Sequence, residues 1–151
     1  MAEKEVLSEI QITLNVIGGK WKPLILHYLE KNGTKRYSEI LHCLESAPKK
    51  TLTAQLRELE HDGIIKRNVI PTVPVQVKYS ITNHGRSLFP LLDVMCAWGY
   101  LNSQDYQVKH TTCTYNEETT KIKQARLHKL YEMFAEDHLG DWQADDEGTL
   151  M

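Results

Sequence analysis

A chain of 151 residues, 41% apolar and with a net charge of −2, suits one folded domain or one domain with an appendage. No run approaches the ~20 apolar residues that cross a bilayer, and the MAEKEVLSEIQ start lacks the basic-then-apolar order of a secretory signal. A cytoplasmic protein with no membrane partner is therefore expected. Three widely spaced cysteines and seven scattered histidines give neither a disulfide framework nor zinc-ligand spacing, so no metal or cofactor is expected.

In VLSEIQITLNVI, Leu7, Ile10, Leu14 and Ile17 recur at helical spacing, and Gly18-Gly19 stops this first helix. KWKPLILHYLEKNG reads as a second helix with Pro23 in its first turn. Trp21, Leu24, Ile25, Tyr28 and Leu29 face inward, and Gly33 ends it. RYSEILHCLES makes a short third helix with Ser38 as N-cap and Ile40, Leu41 and Leu44 as its apolar face. KKTLTAQLRELEHDG is a fourth, with Pro48 in its first turn and Ser46 or Ala47 as its cap. Leu52, Leu56 and Leu59 cluster on one side. Lys50, Ala54, Arg57 and His61 fall opposite, flanked by Thr51, Thr53, Gln55 and Glu58.

IIKRNVI and VQVKYSI, joined by a Pro-containing turn, form a hairpin. Thr82 caps a last long helix, NHGRSLFPLLDVMCAWGYLN, which Pro90 should kink. Its apolar face is broad: Leu88, Leu91, Leu92, Met95, Trp98 and Leu101. Cys43 and Cys96 sit at apolar helix positions and read as small buried thiols; Cys113 lies in a polar stretch and reads as exposed. Beyond Ser103 the chain turns polar. EETTKIKQARLHKLYEMFAEDHLG is one amphipathic helix with Leu127, Leu130, Tyr131 and Phe134 on a stripe, and the acidic DWQADDEGTLM should fray. The expected organisation is a domain over residues 1–107 and an acidic extension over 108–151.

The net charge hides an asymmetry. Residues 1–101 carry 13 Lys/Arg and 10 Asp/Glu, or +3, while residues 102–151 carry 5 and 10, or −5. The basic half has the element order of a winged helix-turn-helix, mainly α with a small β-hairpin. In that arrangement the fourth helix enters the DNA major groove and the short helix before it crosses the backbone. Arg57 could hold a guanine bidentately and Gln55 an adenine. Thr51 and Thr53 flank them. Lys49 and Lys50 suit phosphates at the helix start, as do Arg36, Tyr37 and Ser38 at the start of the third helix. Lys66, Arg67 and Lys78 add charge on the hairpin. Any one of these side chains alone is as well explained as a solvated surface group; their joint placement makes the case.

The stretches IGGKWKPLIL, RYSEIL, LTAQLRELEHDGIIKR and VKYSITNHGRSL, in this order over residues 7–101, resemble the HxlR-type transcriptional regulators, which are relatives of the MarR regulators. The resemblance implies a sequence-specific DNA-binding regulator, a homodimer on a near-palindromic operator in double-stranded DNA. It implies N- and C-terminal dimerisation helices, here Leu7, Ile10, Leu14, Leu91, Leu92, Met95 and Trp98. Three departures stand out. Many members carry a cysteine ahead of the first helix, which some use to sense oxidants, whereas here none precedes Cys43. Members often have Pro-Pro-Arg near the wing tip, where this chain has Pro74-Val75-Gln76. The family usually stops soon after the pair matched by Trp98-Gly99, so the extension is unexplained. The alternative is a winged helix used only for protein–protein assembly, against which the retained basic face counts. An enzyme is not expected, since no nucleophile–base constellation or phosphate loop occurs. No residue marks an effector pocket.

Overall fold

Glycine and proline punctuation sets the element boundaries in the computed structural model, which describes residues 3–109 and 116–137. Helix α1 (Glu9–Ile17) ends where the Gly18 N–H bonds the Leu14 carbonyl; a Cβ at Gly18 would run into that same oxygen. It begins three residues later than the apolar spacing suggests, because Ser8 is extended. Helix α2 (Lys22–Asn32) carries its proline in the first turn and ends at Gly33, where φ is +76°. A two-residue strand β1 (Lys35–Arg36) follows, then α3 (Tyr37–Cys43) and α4 (Lys49–His61).

Two capping expectations are corrected. Ser38 lies inside α3, and the residue at the cap position is Arg36. For α4 the cap position is held by Pro48, not Ser46 or Ala47. Neither Arg36 nor Pro48 makes a side-chain cap, so neither helix start has its free backbone N–H groups satisfied in that way.

Strands β2 (Ile65–Ile70) and β3 (Gln76–Ile81) form the hairpin, and β1 adds to its far edge in the order β1-β3-β2. All pairs are antiparallel. Tyr79 of β3 stands opposite both Lys35 and Arg67, and Lys78 opposite both Arg36 and Asn68. Thr82 caps as expected, accepting from the Gly85 N–H, but it caps only the four-residue α5 (Asn83–Arg86). Pro90 does not kink one long helix. The helix breaks, and α6 (Phe89–Leu101) restarts with Pro90 in its first turn, because proline has no N–H to continue the ladder from the preceding turn. Helix α7 (Glu117–Asp137) forms in the extension. Asn116 and Thr119 cap it reciprocally: each backbone N–H bonds the other's side-chain oxygen, at 3.0 and 2.9 Å.

The packing divides the chain into two units, Met1–Leu88 and Phe89–Met151, whereas the sequence suggests a boundary after residue 107. In the first unit Ile25, Leu26, Ile40, Leu52, Leu56, Leu59, Ile64 and Ile65 are fully buried. Leu24, Tyr28 and Leu41 are only half-buried. In the second unit α6 and α7 pack together. The Arg126 guanidinium lies 3.4 Å from Asp93 Oδ2 and 5.1 Å from the centre of the Phe89 ring.

The cysteines need a correction. Cys43 is a free thiol, half-buried, and burial raises its pKa above the ordinary thiol value. Cys96, expected as a buried thiol, is disulfide-bonded; spacing along the chain does not reveal a bond that the fold brings about. Cys113 and the acidic stretch 141–151 lie outside the described residues. Among the described residues no helix is long and apolar enough to cross a membrane, and no three His, Cys, Asp or Glu side chains group as metal ligands.

Candidate nucleic-acid interface

Lys49, Thr53 and Arg57 recur every four residues, which stacks them along one side of α4. Leu52, Leu56 and Leu59 are fully buried and fix which side faces out: Arg57 points well away from them, whereas Lys49 and Thr53 fall at the edge of the leucine side. Lys50, Ala54, Arg57 and His61 are exposed, as the spacing requires. Between α4 and the wing lies a cavity of about 850 Å³. Arg36, Tyr37, Ser38, Thr53, Arg57 and Arg67 all line it.

These six were singled out from sequence, and the fold gathers them from three separate stretches. The cavity is also lined by the wing-tip residues Pro74, Val75 and Gln76, and by Glu60, Val77 and Tyr79, which sequence reasoning did not place at the site. Glu60 could have been found, since it sits three residues after Arg57 and seven after Thr53 on the same side of the helix. Tyr79 could not, because its place depends on strand register.

Electrostatics sorts the cations. Arg36 donates from Nε to Glu39 Oε1 at 2.7 Å, and Lys35 lies 3.4 Å from Glu39 Oε2. The Arg36 hydrogen bond, and then Lys35, hold the Glu39 carboxyl below its ordinary pKa. Arg36 is thus already partly neutralised. The side chains of Lys49, Lys50, Arg57, Lys66, Arg67 and Lys78 make no ion pair among the described residues. Lys66 and Lys78 belong to the strand positions that alternate with Arg67 and Tyr79, so they occupy the other face of the sheet and do not line the cavity.

Two side chains flanking the leucines turn out to face α2. Glu58 Oε2 is 2.6 Å from the ammonium of Lys22, which is only 5% exposed. Gln55, a candidate adenine reader, has its Oε1 buried without a hydrogen-bond partner, against the turn at Gly19. An amide with its acceptor buried there cannot present both of its groups to a base edge, so the bidentate adenine contact expected of Gln55 does not fit this side-chain placement. Thr51 is half-buried and lines no part of the cavity.

Comparison with known proteins agrees with this architecture. A profile of the HxlR-like helix-turn-helix family matches residues 16–107. An HTH-type transcriptional regulator of Methanothermobacter thermautotrophicus, itself uncharacterised, is 44% identical over 99 residues, covering 66% of this chain and 75% of the relative. YtcD of Bacillus subtilis, an HTH-type transcriptional regulator also uncharacterised, is 48% identical over 99 residues, covering 66% and 78%. Among solved structures, the redox regulator HypR in its oxidised form superimposes with a TM-score of 0.59 at 43% identity, covering 63% of this chain and 97% of HypR. The reduced form of the transcriptional regulator YodB from B. subtilis superimposes with a TM-score of 0.57 at 30% identity, covering 68% and 100%.

Proposed function

The chain belongs to the HxlR-like helix-turn-helix family of transcriptional regulators, and on that premise we propose that it binds a near-palindromic operator sequence-specifically, as a homodimer in the cytoplasm. The observation that carries this reading is the pair of guanidiniums, Arg57 on α4 and Arg67 on β2, that line one cavity and have no ion-pair partner among the described residues. An exposed cation without a carboxylate partner is available to an anion at no cost in broken ion pairs. A helix that presents exposed donors beside a wing has the form that enters the DNA major groove.

In this reading α4 lies in the major groove. Arg57 reads a guanine through its two-pronged donor set. Lys49 and Lys50 meet phosphates at the N-terminal end of the 13-residue helix α4, where the dipole favours anions. Arg67 follows the backbone beside the wing. Arg36 contributes less, because Glu39 competes for it.

The dimer reading draws support from apolar exposure. Leu7, just ahead of α1, is 95% exposed, and Ile10 and Leu14 on α1 are 72% and 59% exposed. On α6, Met95 and Trp98 are exposed while Leu91 and Leu92 are half-buried. Apolar faces of this kind favour a partner over water, and a two-fold dimer would present two α4 helices one DNA turn apart. The alternative of a purely protein-binding winged helix gives no reason for unpaired guanidiniums in the cavity.

The experiment is selection of bound sequences from random duplex DNA with the purified protein. The reading expects an enriched motif with two inverted halves about 10 base pairs apart, centre to centre. Recovery of unenriched sequence would overturn it.

A further inference from the structure

Lys22 opens α2, where a positive charge opposes the helix dipole, and it is buried. Its ammonium is held by Glu58, the residue next to Arg57 in α4. Beside the pair, the buried Oε1 of Gln55 has no hydrogen-bond partner. Lys22 is thus a buried charge at a position where an apolar side chain would serve stability as well or better, while its partner Glu58 stays 54% exposed.

What an ion pair adds is direction. Leucine contacts are non-directional, whereas a 2.6 Å contact between two charged groups adds a hydrogen bond that favours one rotation of the helix. Arg57 leaves the helix one residue before Glu58, so whatever fixes Glu58 also fixes the direction in which Arg57 projects.

We propose that Lys22 and Glu58 form a positioning pair that sets the rotation of the recognition helix, contributing to base discrimination and not to stability. The inference rests on the DNA-binding reading above. Neither residue touches DNA in it; both act through Arg57.

The test compares the full-length wild type with Lys22→Met, the double variant Lys22→Met/Glu58→Met, and the charge-reversed Lys22→Glu/Glu58→Lys. Two quantities are read: the melting temperature, and the ratio of affinities for the selected operator and a scrambled duplex at one salt concentration. Both methionine variants are expected to keep or exceed the wild-type melting temperature while the ratio falls about tenfold, the worth of one bidentate base contact. The charge-reversed variant, which rebuilds the pair, is expected to recover most of the ratio. A ratio within ~twofold of wild type in the methionine variants would overturn the proposal, since ordinary non-coupled changes are of that size. So would a loss that tracks a falling melting temperature and that charge reversal does not recover. A wild type with no preference for its operator would instead overturn the DNA-binding reading on which the inference stands.

Discussion

The Tyr37 hydroxyl lies 3.0 Å from Thr53 Oγ1, and Thr53 donates to the carbonyl of Lys49 at 2.9 Å. A threonine hydroxyl has one proton. With that proton on Lys49, Tyr37 must be the donor, and neither hydroxyl keeps a proton for a phosphate. On this geometry the two side chains brace α3 against α4. Tyr37→Phe is expected to lower stability by about 1 kcal/mol, the net worth of a partly buried neutral hydrogen bond, while leaving the salt dependence of DNA binding unchanged. Chemical denaturation and a salt titration check the two halves. A shallower salt slope would make Tyr37 a phosphate contact after all.

Arg57→Ala and Lys50→Ala should differ in kind. Arg57 projects into the cavity without a carboxylate partner, and a guanine contact there is worth about 1–3 kcal/mol. Its removal should relax base choice at one position per half-site. Lys50 is exposed in the first turn of α4, so its removal should weaken binding to all duplexes alike. Repeating the sequence selection with each variant checks this. A uniform loss from Arg57→Ala would demote it to a backbone contact.

Cys43 should be a sluggish nucleophile. Burial raises its pKa, so at neutral pH the thiolate fraction is smaller than that of an ordinary cysteine. Its alkylation by iodoacetamide in the native protein is expected to be slower than in the urea-unfolded chain and to speed up only as pH rises above the usual thiol range. Fast modification at pH 7 would mean that the helix opens readily at this position.

Arg126 should hold the second unit together. It is the ion-pair partner of Asp93, whose side chain is 13% exposed, and it also lies over Phe89. Arg126→Ala leaves that carboxylate without its partner, at a cost of about 2 kcal/mol. Thermal melting of the variant is the check, and an unchanged melting temperature would show that α7 docks by other contacts.

The element order was legible because each helix carries its own period and its own stop. The Leu52-Leu56-Leu59 spacing alone fixes the exposed side of α4, and with it Arg57 and Lys50. Three features were not legible. Strand β1 is two residues long and exists only by pairing with β3, so it leaves no pattern. The break between α5 and α6 shows in sequence only as Pro90, which reads equally as a kink. Gln55 and Glu58 look from the helical wheel like neighbours of the DNA face, and only the approach of α2, with Lys22 buried at its start, draws them inward. The disulfide at Cys96 was missed for a similar reason: it depends on tertiary proximity.

Salt dependence on the selected operator is the most direct test of the central claim that unpaired cations on α4 and the wing hold DNA. If a dimer neutralises ~6 phosphates, the slope of log affinity against log salt should be about −5, with the operator still preferred over a scrambled duplex at each salt concentration. A slope near zero, or equal affinity for both duplexes throughout, would contradict the account.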